Sequence, residues 1–163
     1  IRLYSFNDYE KGIYYNVAPI SGGRPNGVVA GAARGEFCVA GIPENADFPV
    51  IQAKLDSMAD QVTVEGCRVQ VTYRTLFPAM ERNAANHRAY LQAAEAAELL
   101  GWEPEEIADP AATDGAYLST YGVPTVDALS AMAEQIHTTE ERVRIPSMRD
   151  RTALCAAVLG LLG

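Results

Sequence analysis

The order of strand-like and helix-like segments along the chain limits its fold more than any other property of the sequence. Residues 13–20 and 28–39 have the aromatic and β-branched composition that favours strands. Residues 47–62 carry apolar side chains at helical spacing, and residues 67–73 alternate apolar with polar side chains, as a half-buried strand does. Strand, strand, helix and strand form an incomplete ferredoxin-like unit. We therefore expect a partial ferredoxin-like domain in residues 1–75.

Local signals also predict where the helices begin and end. Asp47 is a candidate N-cap for the first helix. The alanine-rich stretch Asn83–Leu100 predicts a second helix, which Gly101 ends. Thr113 is placed to cap a short helix that ends at Gly122.

The last part of the chain predicts a strand and a long helix. Residues 123–126 have the composition of a short strand, and residues 147–150 have the pattern of a capping box before a helix. The apolar face of that helix would contain Leu154, Val158 and Leu161. Together with the preceding helices, these elements make half of an α/β layer. We therefore expect residues 76–163 to be the C-terminal half of an α/β domain.

The charge of the chain limits its partners. It has 13 basic and 21 acidic side chains, a formal net charge of −8, and no basic run that would neutralise phosphates. We therefore expect neither nucleic acid nor an anionic membrane surface as a partner. The longest apolar stretch, residues 153–163, is too short to span a bilayer. The chain begins with Ile1 instead of methionine, so we expect a fragment or a processed product.

The three cysteines are far apart in the sequence and include no Cys-x-x-Cys pair. They are Cys38, Cys67 and Cys155. Two of them lie in segments with apolar periodicity, which predicts buried free thiols in a cytoplasmic protein. A structural zinc site of the Cys-x-x-Cys type is excluded.

Only two histidines are present. His87 lies within the alanine-rich helix, where we expect it on the surface. His137 lies in a loop before the last helix, and it has no second histidine or cysteine near it in sequence. A zinc site needs three or four ligands. The residues alone therefore leave open whether His137 is an ordinary loop histidine or has a function.

Four stretches together resemble the closing part of metallopeptidase family 20, which includes aminoacylase, glutamate carboxypeptidase and succinyl-diaminopimelate desuccinylase. They are Thr113–Leu118, Tyr121–Thr125, Ile136–Val143 and Ser147–Met148. Their order follows the family's small-residue turn before Asp, its Gly-Val-Pro-Thr strand, its His-Thr-x-x-Glu loop and its final helix. Residues 16–23 are similar to the strand of the family's lid domain that ends in Gly-Gly.

The resemblance implies roles for several residues of this chain. His137 falls on the last ligand of a two-zinc site, for which a neutral imidazole is suited. Arg74 falls where the family places an arginine that binds a substrate carboxylate by bidentate geometry, and a solvated arginine at a strand end is the alternative. Thr113 and Gly115 belong to a turn whose hydroxyl and backbone N–H would donate to that carboxylate. Asn26 resembles the asparagine of the lid.

The chain also departs from the family pattern. Asn26 lies one position early, and Ala30 replaces a proline. Cys38 and Ala40 stand where the lid has aspartate and arginine. Residues 111–112 are alanines where the family has two glycines, which narrows the space for a ligand near the backbone.

The resemblance implies a parent enzyme that hydrolyses an amide or peptide bond next to a free carboxylate. Its substrate would be a small peptide or an N-acyl amino acid, and the enzyme would be a homodimer through the lid. The other zinc ligands and the glutamate that acts as general base would lie in a missing N-terminal segment, so we expect no catalytic residue here and no activity of the isolated chain. One alternative is a family relative that has lost catalysis and acts as a binding or regulatory subunit. Another is an unrelated ferredoxin-like module with a helical tail.

Overall fold

A computed structural model describes residues 2–162 of the chain. The structure contains both helices and short antiparallel strands. Its residues divide into two compact units, one made of the chain up to Ala79 with Ala108–Ala112, the other of Met80–Ile107 and the chain from Thr113 onward. The predicted α/β class is confirmed. The predicted domain division after residue 75 stays a prediction.

The first unit consists of a hairpin and one α-helix. A 3-10 helix, Leu3–Phe6, precedes strands β1 (Tyr14–Gly22) and β2 (Ala33–Ala40), and helix α1 (Asp47–Ala59) follows. The strands pair antiparallel, with Tyr14 opposite Ala40 and an irregularity between Val17 and Ile20. Between them, Asn26 and Gly27 have φ values of 63° and 71°. Asparagine and glycine adopt such left-handed conformations more readily than other residues, so this pair reverses the chain.

A small apolar cluster joins the hairpin to α1. Its buried members are Ile13, Tyr15, Ile51 and Leu55, and Met58 packs against them. The predicted helical stripe is thus confirmed for its first three positions. Its fourth position, Val62, lies beyond the end of α1 and is 41% exposed. Burial of this stripe stabilises a helix whose sequence has only moderate intrinsic propensity.

The first residue of α1 has a different role from the one predicted. Asp47 is the first helical residue, and Ala46 precedes it without a side-chain cap. The Asp47 carboxylate is buried, and its Oδ1 accepts a hydrogen bond of 2.6 Å from Lys11 Nζ. This hydrogen bond raises the pKa of the Lys11 amino group above its ordinary value. The prediction of Asp47 as an N-cap is therefore wrong, because the carboxylate turns to Lys11 instead of the first-turn N–H groups.

The predicted strand at residues 67–73 does not form. Its alternating apolar side chains are mostly exposed, Val69 and Tyr73 at 42% each, and only Val71 packs against the first apolar cluster. A strand needs a neighbour for its N–H and C=O groups, and within residues 2–162 the hairpin of β1 and β2 does not extend to this segment. The alternation of apolar and polar side chains in residues 67–73 therefore predicted a strand that is not there.

The second unit is built around two long helices. Its elements are α2 (Ala84–Leu99), α3 (Gly115–Thr120), β3 (Ala133–Glu134), β4 (Arg142–Val143) and α4 (Ile145–Leu162). The predicted short strand at residues 123–126 is absent. The capping box was also wrong, because α4 begins at Ile145 and Ser147 lies inside it, with Oγ donating to Arg144 O at 2.6 Å.

The ends of α2 and α3 agree with the predicted signals. Asn83 caps α2, because its Oδ1 accepts from the N–H groups of Ala85 and Asn86, both at 2.9 Å. Gly101, at a φ of 79°, ends α2 with its N–H donating to Glu98 O. Gly122 ends α3 in the same way, at the same φ. Both terminations have the left-handed glycine that a helix commonly uses at this place.

Small side chains allow α2 and α4 to pack closely. The buried cluster consists of Ala93, Ala96, Ala97, Leu154 and Val158, and Trp102 packs against it. Four of the predicted face residues, Ala94 and Ala97 on α2 with Leu154 and Val158 on α4, are buried, whereas Leu161 is 40% exposed. Alanine on one helix leaves room for the larger aliphatic side chains of the other.

The cysteines differ from the prediction of buried thiols. Cys38 and Cys67 are exposed and Cys155 is half-buried, and all are free thiols. Cys67 lies in the segment that forms no strand, so no sheet covers it. Among the helices of residues 2–162, none combines the length and the apolar character that crossing a bilayer requires.

Candidate functional site

The turn that precedes α3 contains two of the predicted site residues in direct contact. The Gly115 N–H donates to Thr113 Oγ1 at 3.1 Å, and the Ala116 N–H donates to Thr113 O at 3.2 Å. The predicted cap is one position away from the observed one: Asp114 is the N-cap residue of α3 and its side chain makes no capping hydrogen bond, while Thr113 accepts the first helical N–H from the preceding position. The Gly115 N–H is satisfied by Thr113, so of the two predicted donors only the Thr113 hydroxyl hydrogen is left for a ligand.

Gly115 fits closely into the packing around this turn. A Cβ at this position would lie 3.1 Å from Thr125 Cγ2 and 3.3 Å from Thr113 Oγ1. These approaches are closer than a side chain normally makes. The absence of a side chain thus lets the Val123–Thr125 segment pack directly on the turn.

Asn86 of α2 joins the elements of this region, although no motif in the sequence indicated that role. Its Nδ2 donates to Glu81 O at 2.8 Å and to Ser119 Oγ at 2.7 Å, while its Oδ1 accepts from the Thr125 N–H at 3.0 Å. The side chain is 7% exposed. One buried amide therefore links α2, α3 and the segment that follows α3. Its position among small apolar residues on the inner face of α2 was the only signal.

We expect Asn86→Ala to lower the free energy of unfolding by about 1–3 kcal/mol, because it leaves buried donors and acceptors without partners. Urea unfolding followed by circular dichroism measures this loss. The matched control is Gln92→Ala, at an exposed position of the same helix, which should change stability by less than about 0.5 kcal/mol. Equal effects of the two substitutions would contradict the bridging role of Asn86.

The hairpin of β3 and β4 carries His137. At its base, Arg142 Nη2 lies 2.8 Å from Glu134 Oε2, and Ser147 Oγ accepts from the Met132 N–H at 2.9 Å. His137 is exposed and has a φ of 66°, in the left-handed region. Its backbone N–H donates to Glu141 Oε2 at 2.8 Å. The loop that presents this imidazole is therefore closed by defined hydrogen bonds.

The chemistry of His137 fits one ligand of a zinc site. Its ring makes no hydrogen bond or ion pair with any residue from 2 to 162, so it is free to bind. No group of three or more His, Cys, Asp and Glu side chains that could hold a metal exists in that range. The described residues thus hold no complete zinc site, and no hydrogen bond joins His137 to the Thr113 turn within them.

The two predicted site residues of the first unit are exposed and separate. Asn26 lies in the turn between β1 and β2. Arg74 follows Tyr73, whose hydroxyl donates to Asp56 Oδ1 of α1 at 3.2 Å. Arg74 makes no ion pair within residues 2–162, so its guanidinium is available to an anion. These placements leave the substrate-binding roles of both residues as predictions.

His87 is not the plain surface residue that we expected. Its Nδ1 lies 3.1 Å from Glu106 Oε2, and its ring stacks on Tyr90 at 5.9 Å between centroids. Arg82 Nη2 lies 2.7 Å from the same carboxylate oxygen. The hydrogen bond from Arg82 holds the pKa of the Glu106 carboxyl below its ordinary value, and His87 acts in the same direction. These contacts attach the irregular segment after α2 to that helix.

A shallow groove of about 310 Å³ runs along α4. It is lined by Leu129, Ser130, Ala131, Met148, Arg151, Thr152 and Cys155. None of the predicted site residues lines it. The groove is therefore a separate feature of the second unit.

The turn of Thr113 and the hairpin of His137 contain the motifs that resemble a metallopeptidase family. The comparisons with known proteins give the same protein class. The model of peptidase family M20/M25/M40 matches residues 9–160. The chain belongs to this family. The resemblance inferred from the motifs is thereby confirmed.

The fold is also that of a solved structure. Aminopeptidase PepT from Bacillus cereus ATCC 10987 matches with a TM-score of 0.70 and 22% sequence identity, over 91% of this chain and 39% of that one. At this identity the likeness shows the fold alone. The chain thus spans 39% of the length of the aminopeptidase that it matches. No curated protein is significantly similar in sequence.

Proposed function

We propose that this chain supplies the substrate-carboxylate site and one zinc ligand of a zinc-dependent peptidase or amidohydrolase. The observation that carries the proposal is the hairpin of β3 and β4, which presents an exposed imidazole with an unengaged ring from a loop closed by hydrogen bonds. Family membership supports the hydrolase class. One imidazole does not hold a metal ion tightly, so the remaining ligands and the general base would come from polypeptide outside the chain.

The substrate would carry a free carboxylate next to the bond that is cleaved. Arg74 is exposed and without an ion pair in the described residues, and its planar guanidinium suits a bidentate contact with a carboxylate. The Thr113 hydroxyl, which already accepts the Gly115 N–H, keeps one hydrogen to donate. Gly115 contributes by letting Thr125 pack closely on that turn. Asn26 resembles the asparagine of the family's lid, so we propose it as a further substrate-binding residue.

The solved relative is an aminopeptidase by name, so two classes of substrate need to be compared. Small peptides with a free N-terminus and N-acyl amino acids differ on the amino side of the bond, and both have the carboxylate. We propose one of these two classes as the substrate. Substrates with an amidated C-terminus are the matched controls, because they lose the charge that Arg74 would bind.

We expect the full-length protein to hydrolyse a peptide or an N-acyl amino acid, to lose that activity after treatment with a chelator, and to recover it when Zn²⁺ is restored. The expected physical reason is that a zinc ion lowers the pKa of bound water and polarises the carbonyl. The isolated chain should be inactive in the same assay. A full-length protein that binds Zn²⁺ but cleaves neither substrate class would instead favour the non-catalytic, regulatory relative.

We further propose a homodimer formed through the first unit, and a cytoplasmic location. The β1–β2 hairpin supports the dimer, because a two-stranded sheet has an outer edge on each strand and Tyr14 on β1 is 40% exposed. Light scattering of the full-length protein tests this proposal. A monomeric mass at micromolar concentration would contradict it.

A further inference from the structure

We infer that Glu141 is a positioning residue for His137, an inference that rests on the proposed function. The contact that carries it is the hydrogen bond of 2.8 Å from the His137 backbone N–H to Glu141 Oε2. This carboxylate acts on the backbone of His137 and leaves the ring free. Glu141 would therefore orient the imidazole without binding the metal itself.

The backbone of His137 needs such a partner. Its φ of 66° is in the left-handed region, which residues other than glycine seldom occupy, although histidine does so more often than most. Gln135, two residues earlier, is also left-handed, with a φ of 53°. A loop with two such residues reverts to other conformations unless specific contacts hold it. The Glu141 carboxylate supplies a contact at His137 itself.

Other contacts of the loop hold its two flanks and do not reach His137. Thr138 donates from Oγ1 to Gln135 O at 2.7 Å and from its N–H to the same oxygen at 3.2 Å. The Glu141 N–H donates to Thr138 O at 3.2 Å. The side chain of Glu141 closes the remaining gap by reaching back four residues. It thereby fixes the peptide that directly precedes the His137 Cα.

The neighbouring Glu140 is a control that distinguishes the positioning role of Glu141 from a general effect of negative charge in the loop. Its backbone N–H donates to Thr138 Oγ1 at 3.2 Å, but its carboxylate makes no hydrogen bond or ion pair within residues 2–162. Both glutamates carry the same charge in the same loop. Of the two, only Glu141 accepts a hydrogen bond from the histidine, so substitution of Glu140 controls for charge and exposure.

The expected consequence is a change in metal affinity. Partners that orient a metal ligand commonly contribute about 10–100-fold to affinity or activity when they are removed. We expect Glu141→Ala to weaken Zn²⁺ binding by the full-length protein by about 10–100-fold. Glu141→Gln should recover most of this loss, because its amide oxygen still accepts the His137 N–H. Glu140→Ala should bind Zn²⁺ as the unmodified protein does.

Two measurements test the inference. Competition with a zinc chelator of known affinity gives the Zn²⁺ dissociation constants of Glu141→Ala, Glu141→Gln, Glu140→Ala and His137→Ala in the full-length protein. The three-bond coupling between the amide and α protons of His137 reports its φ, and it should change in Glu141→Ala but not in Glu140→Ala. Circular dichroism verifies that each variant remains folded.

The results separate failure of the inference from failure of the proposed function. If His137→Ala loses Zn²⁺ while Glu141→Ala behaves as Glu140→Ala does, the positioning role is overturned and the proposed function stands. If His137→Ala keeps its Zn²⁺ affinity, the proposed function fails and the inference fails with it. A loss in Glu141→Ala that glutamine does not restore would also overturn the inference, because the hydrogen bond would then not be its cause.

Discussion

Replacement of His137 by alanine is expected to lower hydrolysis by the full-length protein by more than about 100-fold, since loss of a group that merely orients a ligand already costs up to about that factor. A catalytic zinc ion commonly has three protein ligands and one open position for water. Loss of one ligand weakens metal binding and disturbs the geometry that activates the water. Metal analysis and the rate of hydrolysis, measured together, check this expectation.

The other histidine provides the matched control. His87 lies on α2, where Glu106 and Tyr90 contact its ring, so it is already engaged on the protein surface. We expect His87→Ala to retain both the metal and the rate of hydrolysis. Full activity and full zinc content in His137→Ala would rule out the metal-ligand role. A loss of activity in both variants together with unfolding would instead point to instability.

Replacement of Tyr15 by alanine is expected to lower the free energy of unfolding of the first unit by about 3–5 kcal/mol, as for other large aromatic side chains removed from a core. Tyr15 is 1% exposed and lies in the cluster with Ile13, Ile51 and Leu55. Its ring also meets Phe6 edge to face, with centroids 5.8 Å apart. Removal would leave a cavity between the hairpin and α1. Urea unfolding followed by fluorescence and circular dichroism measures the effect.

Two further substitutions make this test specific. The Tyr15 hydroxyl is buried and has no hydrogen-bond partner in the described part of the chain, and burial raises its pKa. Tyr15→Phe removes this hydroxyl, so it should leave stability unchanged or raise it slightly. Tyr14→Ala, at the adjacent exposed position, should cost less than about 1 kcal/mol. A strong loss in Tyr15→Phe would show that the hydroxyl has a partner in solution.

The residues that mark the ends of α2 and α3 were reliable signals in this chain. Asn83 and Gly101 predicted the limits of α2, and Gly122 predicted the end of α3. Each of these signals works through hydrogen bonds to residues no more than five positions away. Such contacts form wherever the segment is placed. This is why the limits of α2 and the end of α3 could be predicted almost to the residue.

The strand predictions depended on partners that the pattern does not contain. β1 and β2 have each other: β1 forms within two residues of its expected bounds, whereas β2 begins at Ala33 instead of residue 28. Residues 67–73 have an equally good alternation but no strand beside them among the described residues, and most of their apolar side chains stay exposed. Residues 123–126 likewise have no strand beside them within residues 2–162. A ladder requires a second strand in register, and alternation in one segment does not provide it.

The candidate site was only partly predictable for a similar reason. The motifs selected Thr113, Gly115 and His137, and the structure joins the first two in one turn. They gave no sign of Asn86, whose role depends on Ser119 and Thr125, more than thirty residues away in sequence. Nor did they predict that Glu141 binds the backbone of His137. Long-range and backbone contacts leave no periodic pattern in a sequence.

The sequence by itself determined the family, the mixed class of the fold, the limits of α2 and the end of α3, because motif spacing and these helix-end signals are local properties. The tertiary structure alone decided which apolar segments pair as strands, that Asp47 binds Lys11 instead of capping a helix, and how Asn86 and Glu141 arrange the residues around them. These outcomes depend on which distant groups meet, and burial without a partner is costly for every polar group. The free-energy cost of burying an unpaired polar group depends on the whole packed unit. It therefore decides which side chains and segments come to lie together.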